Sequence, residues 1–313
     1  MTSWNPPVGF DFETARPASG DGTRSISLSG FQVSLAGLDA ETEAFVAKRF
    51  RRYLSSDLIP PVPLSLAFRS EPDAPYLDSP DPNGPAENYR MEHAVRDGRL
   101  YYATGTTCAC VDIGSGVGIV LTRERAGALA RTDPVHLATE NLLRACLAWV
   151  VLLRGGFVLH AASVVRNGGC YLFFGNSGAG KSTIASICGG QVISDDLTLN
   201  LPQGPGFAAI GSPFRGTYTA CEDLTDRYPV VGAFRLRKDT VPSVRPIDRA
   251  RGFADFVANL PFVVGELGHH PQAWSLIATV FAKLSLFELR FRKDDSFWHE
   301  IDALHLTSGN DPR

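Results

Sequence analysis

An α/β chain in two parts is predicted by three observations. Short strands separated by turn residues run from Tyr89 to Leu121, a long apolar-periodic helix opens at Asp133-Pro134, and a glycine-rich loop, Gly175 to Thr183, lies between an apolar strand and a short helix. The strand run marks a β-rich α+β first domain over residues 25–132, preceded by an irregular arm over 1–24. The helix opens a second domain, 133–313, which carries the loop.

Pro6, Pro7, Pro17, Gly20 and Gly22 make the arm irregular, and order is expected from Ser25. Alternation through Ile26, Leu28, Phe31, Val33 and Leu35 predicts strands, after which Asp39 caps a helix with Val46, Phe50, Tyr53 and Leu54 on one face. A strand follows at Leu64 to Phe68, then a proline-rich loop from Ser70 to Ala86. Tyr89 to Val95, Leu100 to Thr104, Cys108 to Ile113 and Gly116 to Leu121 read as an antiparallel meander with Asp97-Gly98 as its first turn. The meander has no catalytic constellation, which suits a scaffold or a substrate-docking module. The helix from Asp133-Pro134 stops at Gly155-Gly156, and its apolar face is expected beneath the second domain's sheet. Beyond the loop, strands are expected at Ala233 to Arg237 and Leu286 to Arg292, and helices at Phe253 to Asn259, Gln272 to Leu284 and Asp295 to Leu304.

The loop reads Gly175-Asn176-Ser177-Gly178-Ala179-Gly180-Lys181-Ser182-Thr183 and follows the apolar run Cys170 to Phe174. Glycines at these offsets let successive backbone N–H groups face phosphates, the lysine adds charge, and the serine hydroxyl can reach a magnesium ion. A bound nucleoside triphosphate is therefore expected. Gln191 to Ser194 forms a short strand ending in Asp195-Asp196. The pair reads either as a magnesium ligand beside a general base or as a solvated Asp-Asp turn. His160 sits in the apolar strand Phe157 to Val165, and Asn167-Gly168-Gly169 predicts a hairpin that sets this strand antiparallel to the one feeding the loop. His160 is then either a core residue or a neighbour of the carboxylate pair.

Leu159 to Val164 (LHAASV), the Gly175–Thr183 loop and Ile193 to Asp196 (ISDD) match one family in order. The chain resembles the HPr kinase/phosphorylase family, and more closely its HPr-kinase-like relatives found beside peptide-modification genes. The resemblance covers residues 137–313. It implies a P-loop kinase domain of HPr-kinase/PEP-carboxykinase-like type with a mixed sheet, ATP and Mg²⁺ as cofactors, and a serine hydroxyl of a peptide or small protein as acceptor. It further implies Asp195 as general base, His160 as the group that sets the charge state of that base, and Ser182 with Asp196 as magnesium ligands. Ile210 to Gly216 is similar to a segment of the kinase-like relatives, so Arg215 either faces the γ-phosphate or is a surface arginine in a turn. Thr183 stands where the bifunctional enzymes carry glutamate, so the resemblance does not extend to phosphorylase activity. The first domain and the family's later glycine-rich signature have no match either; the sequence leaves the oligomeric state open, and the family's tendency to assemble points to a homo-oligomer.

With 313 residues, 44% of them apolar and 20% charged, the composition is that of a globular protein, and a net charge of −3 predicts neither a nucleic-acid nor a membrane partner. The six cysteines lack zinc-type spacing and read as free thiols. With no leader at the start of the chain, and the apolar run Ala145 to Leu153 too short to span a bilayer, a cytoplasmic location is expected. His269-His270 lacks a third ligand and reads as loop. The cluster Arg235, Arg237, Lys238 either steers an acidic partner or is a solvated strand end. An NTPase driving transport or assembly, a small-molecule kinase and a nucleotide-binding regulator without turnover are the rival functions. An ABC-type ATPase is disfavoured because no LSGGQ-like signature follows.

Overall fold

Three two-residue turns, Ser29-Gly30, Asp97-Gly98 and Asn167-Gly168, have positive φ at both positions, and each joins two antiparallel strands. This is the turn geometry whose twist matches the right-handed twist of the flanking strands, and glycine removes the steric cost at the second position. The computed structural model describes residues 4–12, 22–57, 61–78, 89–125, 129–214, 216 and 226–308. The chain is a mixed α/β protein with two mixed sheets, in two compact units: 1–153 with 265–273, and 154–264 with 274–313.

The first unit contains β1 (Gly22–Leu28), β2 (Phe31–Leu38), α1 (Ala40–Arg49), β3 (Leu64–Ser70), β4 (Glu92–Arg96), β5 (Arg99–Ala103), β6 (Thr107–Asp112), β7 (Val117–Thr122), α2 (Leu129–Thr132) and α3 (Val135–Leu153). Its seven strands run in the order β1-β2-β3-β7-β6-β5-β4. The β4–β7 meander is antiparallel as predicted, but β3 pairs in parallel with both β2 and β7. Asp39 caps α1, its Oδ1 accepting from the Thr42 amide at 2.7 Å. The helix ends at Arg49, so Leu54 is off it, bridging to Ile26 beyond the outer edge of β1. At the other edge, Glu266 Oε2 accepts from the Val95 amide and from Arg96, both at 2.9 Å. The arm is partly built into the fold, because Phe12 is buried with Tyr101, Cys108 and Leu121.

The long helix α3 departs from expectation, because it groups with the first unit. Its start is tied there by Asp133, whose Oδ2 accepts from Thr104 Oγ1 at 2.6 Å, the Thr106 amide at 2.6 Å and Thr106 Oγ1 at 2.7 Å. Tyr102 donates to the Ala138 carbonyl at 2.9 Å, and Arg49 pairs with Glu140 at 3.0 Å. Most α3 side chains are buried, as in a helix that is apolar all round. Among the described residues it is the one helix long and apolar enough to cross a membrane by length and composition. The five described cysteines are free, and burial pushes the Cys108 and Cys146 thiols up to about 12.

The second unit contains β8 (Phe157–Arg166), β9 (Gly169–Phe174), α4 (Lys181–Ile187), β10 (Gln191–Ser194), β11 (Leu197–Gln203), β12 (Gly206–Ile210), β13 (Arg227–Lys238), β14 (Ser243–Pro246), α5 (Arg249–Ala258), β15 (Leu286–Phe291) and α7 (Phe297–Ser308). The helix α6 (Pro271–Ala282) spans the division at Ala273 and Trp274. Strands β8, β11, β12, β13 and β9 pair in turn and return on themselves, a barrel-like ring. β13 makes the closure possible: its first residues pair antiparallel with β12, the register shifts between Val230 and Gly232, and the remainder runs parallel to β9 and β15. Phe173, Ile184, Phe234, Leu236, Phe291, Phe297 and Trp298 form the core between this sheet, α4 and α7.

Glu288 on β15 is 2% exposed and binds Arg235, Arg245 and Arg290. Burial alone would push its carboxyl up, but the bonds from Arg245 and Arg290 outweigh it and hold the group below its ordinary 4.5. This stability is fully present above pH 4.5 and is lost as pH falls through the lowered value. Glu288→Gln is expected to lower stability by about 2–3 kcal/mol, at or just below the usual ~3–5 kcal/mol for a broken buried pair because Arg245 is 54% exposed. Urea unfolding at pH 7 checks this, and a loss under about 0.5 kcal/mol would show that the arginines are held by other contacts.

Candidate functional site

Residues 175–183 curl because three glycines adopt backbone angles that other residues rarely take: Gly175 has φ 153°, Gly178 76° and Gly180 112°. Gly180 also needs its missing side chain, since a Cβ there would lie 2.6 Å from the Phe291 ring. The Ala179 amide donates to the Asn176 carbonyl at 3.0 Å, and the Ile184 amide to the Gly180 carbonyl at 2.9 Å, which starts α4. The far end of α4 is pinned by Trp298 Nε1 donating to the Cys188 carbonyl at 2.7 Å. Lys181 is 9% exposed and its Nζ donates to the Gly175 carbonyl at 2.8 Å, across the mouth of the loop. Burial pushes the Lys181 ammonium below the usual lysine range, and Asp196 works against that shift.

The pairing of β8 brings the carboxylates to the histidine. Its first half pairs with β11, with Leu197 opposite His160, and its second half pairs with β10. The β10–β11 corner, Asp195-Asp196, is therefore held against the middle of β8, where the Ala161 amide donates to the Asp196 carbonyl at 3.0 Å. Ser194 Oγ and Ser212 Oγ both donate to the Leu197 carbonyl, at 2.9 and 3.1 Å, which fixes the corner. His160 Nε2 lies 3.3 Å from Asp196 Oδ1. The histidine expected to act on Asp195 thus stands within ion-pair distance of Asp196. Asp195 is 4% exposed, and its Oδ1 accepts from the Gly216 amide at 2.8 Å.

One cavity of about 420 Å³ gathers His160, Ser177, Gly178, Gly180, Lys181, Ser182, Thr183, Asp195 and Asp196, with Gly216 and Lys238. Its size lies in the range of small-ligand sites. Gly175, Asn176 and Ala179 line a second cavity of about 260 Å³, with Arg235, Leu236, Asp255 and Asn259. Arg215 lies outside the described residues. Gly216 and Lys238 went unmarked as site residues in the sequence, and only the position of Lys238 at a charged strand end hinted at it. The Arg235 of that same cluster is no solvated end, since it is paired with Asp255 and Glu288.

Chemically, amides and a lysine around a concave loop can receive an anion, and the facing carboxylates can hold a hard cation or take a proton. Among the described residues no three His, Cys, Asp or Glu side chains form a metal cluster. His270, one of the adjacent histidines, packs its ring against Trp149 at 5.4 Å, in keeping with a loop role. No family model matches this chain, and no curated protein matches it.

Proposed function

We propose that this chain is an ATP- and Mg²⁺-dependent kinase of the HPr-kinase-like type, which transfers the γ-phosphoryl group to a serine hydroxyl of a peptide or small protein. The observation that carries the proposal is the single cavity in which Lys181 and Ser182 face Asp195, Asp196 and His160. A P-loop kinase domain is proposed on the same grounds, together with the strand–loop–helix setting of residues 169–187.

The residues suit the groups required. Magnesium is held by one or two carboxylates plus substrate phosphates, so Ser182 with Asp196 suffices without a three-ligand protein cluster. When bound, the metal neutralises charge on the β and γ phosphates. Lys181 and the loop amides hold those phosphates in line with the acceptor. Asp195 takes the hydroxyl proton as the acceptor oxygen bonds to the γ-phosphorus and the bond to the β–γ bridging oxygen breaks, leaving ADP. His160 orients Asp196 through the 3.3 Å contact.

Incubation with γ-labelled ATP and Mg²⁺, with and without serine-containing peptides, small alcohols and sugars, tests the proposal. Label on a peptide serine, with ATP consumption that depends on the peptide, is the expected result. Consumption at the same rate without any acceptor would make the chain an NTPase, and label on small molecules alone would retain the transfer chemistry while removing the polypeptide acceptor.

A further inference from the structure

Lys238 is the last residue of β13 and pairs in parallel with Phe291. The strand's period of two puts it on the face of Phe234 and Leu236, which are buried against α4, while Arg237 points to the opposite face. Beyond Leu236 that core runs out at the rim of the loop. There Lys238 lines the same cavity as Lys181, Ser182 and Thr183, and a Cβ built on Gly180 would lie 3.6 Å from its Cε. The Lys238 side chain therefore runs within van der Waals reach of Gly180, beside the turn into α4.

Most of the arginines around Lys238 are matched by carboxylates; Arg237 is not, among the described residues, but it points to the opposite face of β13. Arg235 is matched by Asp255 and Glu288, Arg245 by Glu288, Arg290 by Asp239 and Glu288, and Arg292 by Asp294. Lys238 has no carboxylate partner among the described residues. A cation with no carboxylate partner among the described residues, lining the same cavity as a buried lysine, has an evident counterpart in a polyphosphate. We propose that Lys238 is a second polyphosphate-binding cation, which flanks the phosphate chain from the β13 side while Lys181 holds it from within the loop. This rests on the nucleotide site proposed above.

Calorimetric titration of the full chain with ATP and with inorganic tripolyphosphate, both without magnesium, tests the assignment. Lys238→Met is expected to weaken both ligands by about tenfold or more, the scale of one charge-assisted contact, and to flatten the dependence of affinity on salt. Lys238→Arg should keep most of the affinity, and Arg237→Met should change it less than about twofold, as expected for a surface charge off the site. Unchanged affinity in Lys238→Met would overturn the assignment, as would equal losses in Lys238→Met and Arg237→Met, which mark a general field. A loss confined to ATP would place Lys238 at the nucleoside and overturn the polyphosphate role. If the native chain bound neither ligand, the nucleotide site itself would fail and Lys238 with it. Native binding that is lost in Lys181→Met but kept in Lys238→Met would remove Lys238 alone.

Discussion

Lys181→Met is expected to abolish turnover and to weaken ATP binding by about 10–100-fold, the loss of a charge-assisted contact in a buried setting. Methionine keeps the buried stem, so packing at the start of α4 is preserved. The fold should not suffer. A lysine whose pKa is depressed by burial costs stability below that pKa, and the cost is relieved as pH rises toward the unfolded value, so its removal is neutral or stabilising. Binding has the opposite pH sense. An anion favours the protonated lysine, so native affinity is full below the Lys181 pKa and declines as pH rises through it, with proton uptake on binding in that window. Calorimetry in buffers of different ionisation heat reads the uptake directly, and the variant should show none from this group. Equal affinity in native protein and variant would mean that the Gly175–Thr183 loop is not the nucleotide site.

Local chemistry was the legible part of this chain. Asn167-Gly168 and Asp97-Gly98 specify their own turns, Asp39 specifies its helix start, and the glycine spacing of 175–180 specifies a loop with positive φ at Gly175, Gly178 and Gly180. His160 could be placed near the carboxylates because one such turn joins β8 to β9. What escaped depends on contacts between segments distant in sequence. The parallel pairing of β13 with β9 carries Lys238 to the loop, and no periodicity near Lys238 encodes it. Strands β11 and β12 are short and follow the Asp-Asp corner closely, so the ring that fixes that corner was not apparent. Phe12 lies in a proline-rich arm whose composition hides a packed aromatic. The apolar periodicity of α3 shows that it is buried but does not show against what, and Asp133, which looks like a helix cap, is bound instead by Thr104 and Thr106. A cut at residue 133 would therefore strip α3 of its partners rather than release an independent domain.

The two adjacent carboxylates should separate by role. Asp195→Asn is expected to bind ATP and Mg²⁺ as the native chain does while phosphoryl transfer falls by about 10²–10⁴-fold, the usual contribution of a general base. Asparagine can still accept the Gly216 amide through its carbonyl oxygen, so the corner keeps its shape and the rate loss reports the missing base rather than a displaced side chain. Asp196→Asn should act on the metal instead. Its carboxylate shares the cavity with Ser182 and meets His160 at 3.3 Å, so the amide would weaken a metal ligand and raise the Mg²⁺ concentration needed for half-maximal rate. At saturating Mg²⁺ most of the Asp196→Asn rate should return, whereas no Mg²⁺ concentration should restore Asp195→Asn. Rates measured across a magnesium titration with a fixed acceptor peptide separate the two. An equal rise in magnesium requirement for both variants would mean that the carboxylates share the metal, and undiminished transfer in Asp195→Asn would remove it as the base.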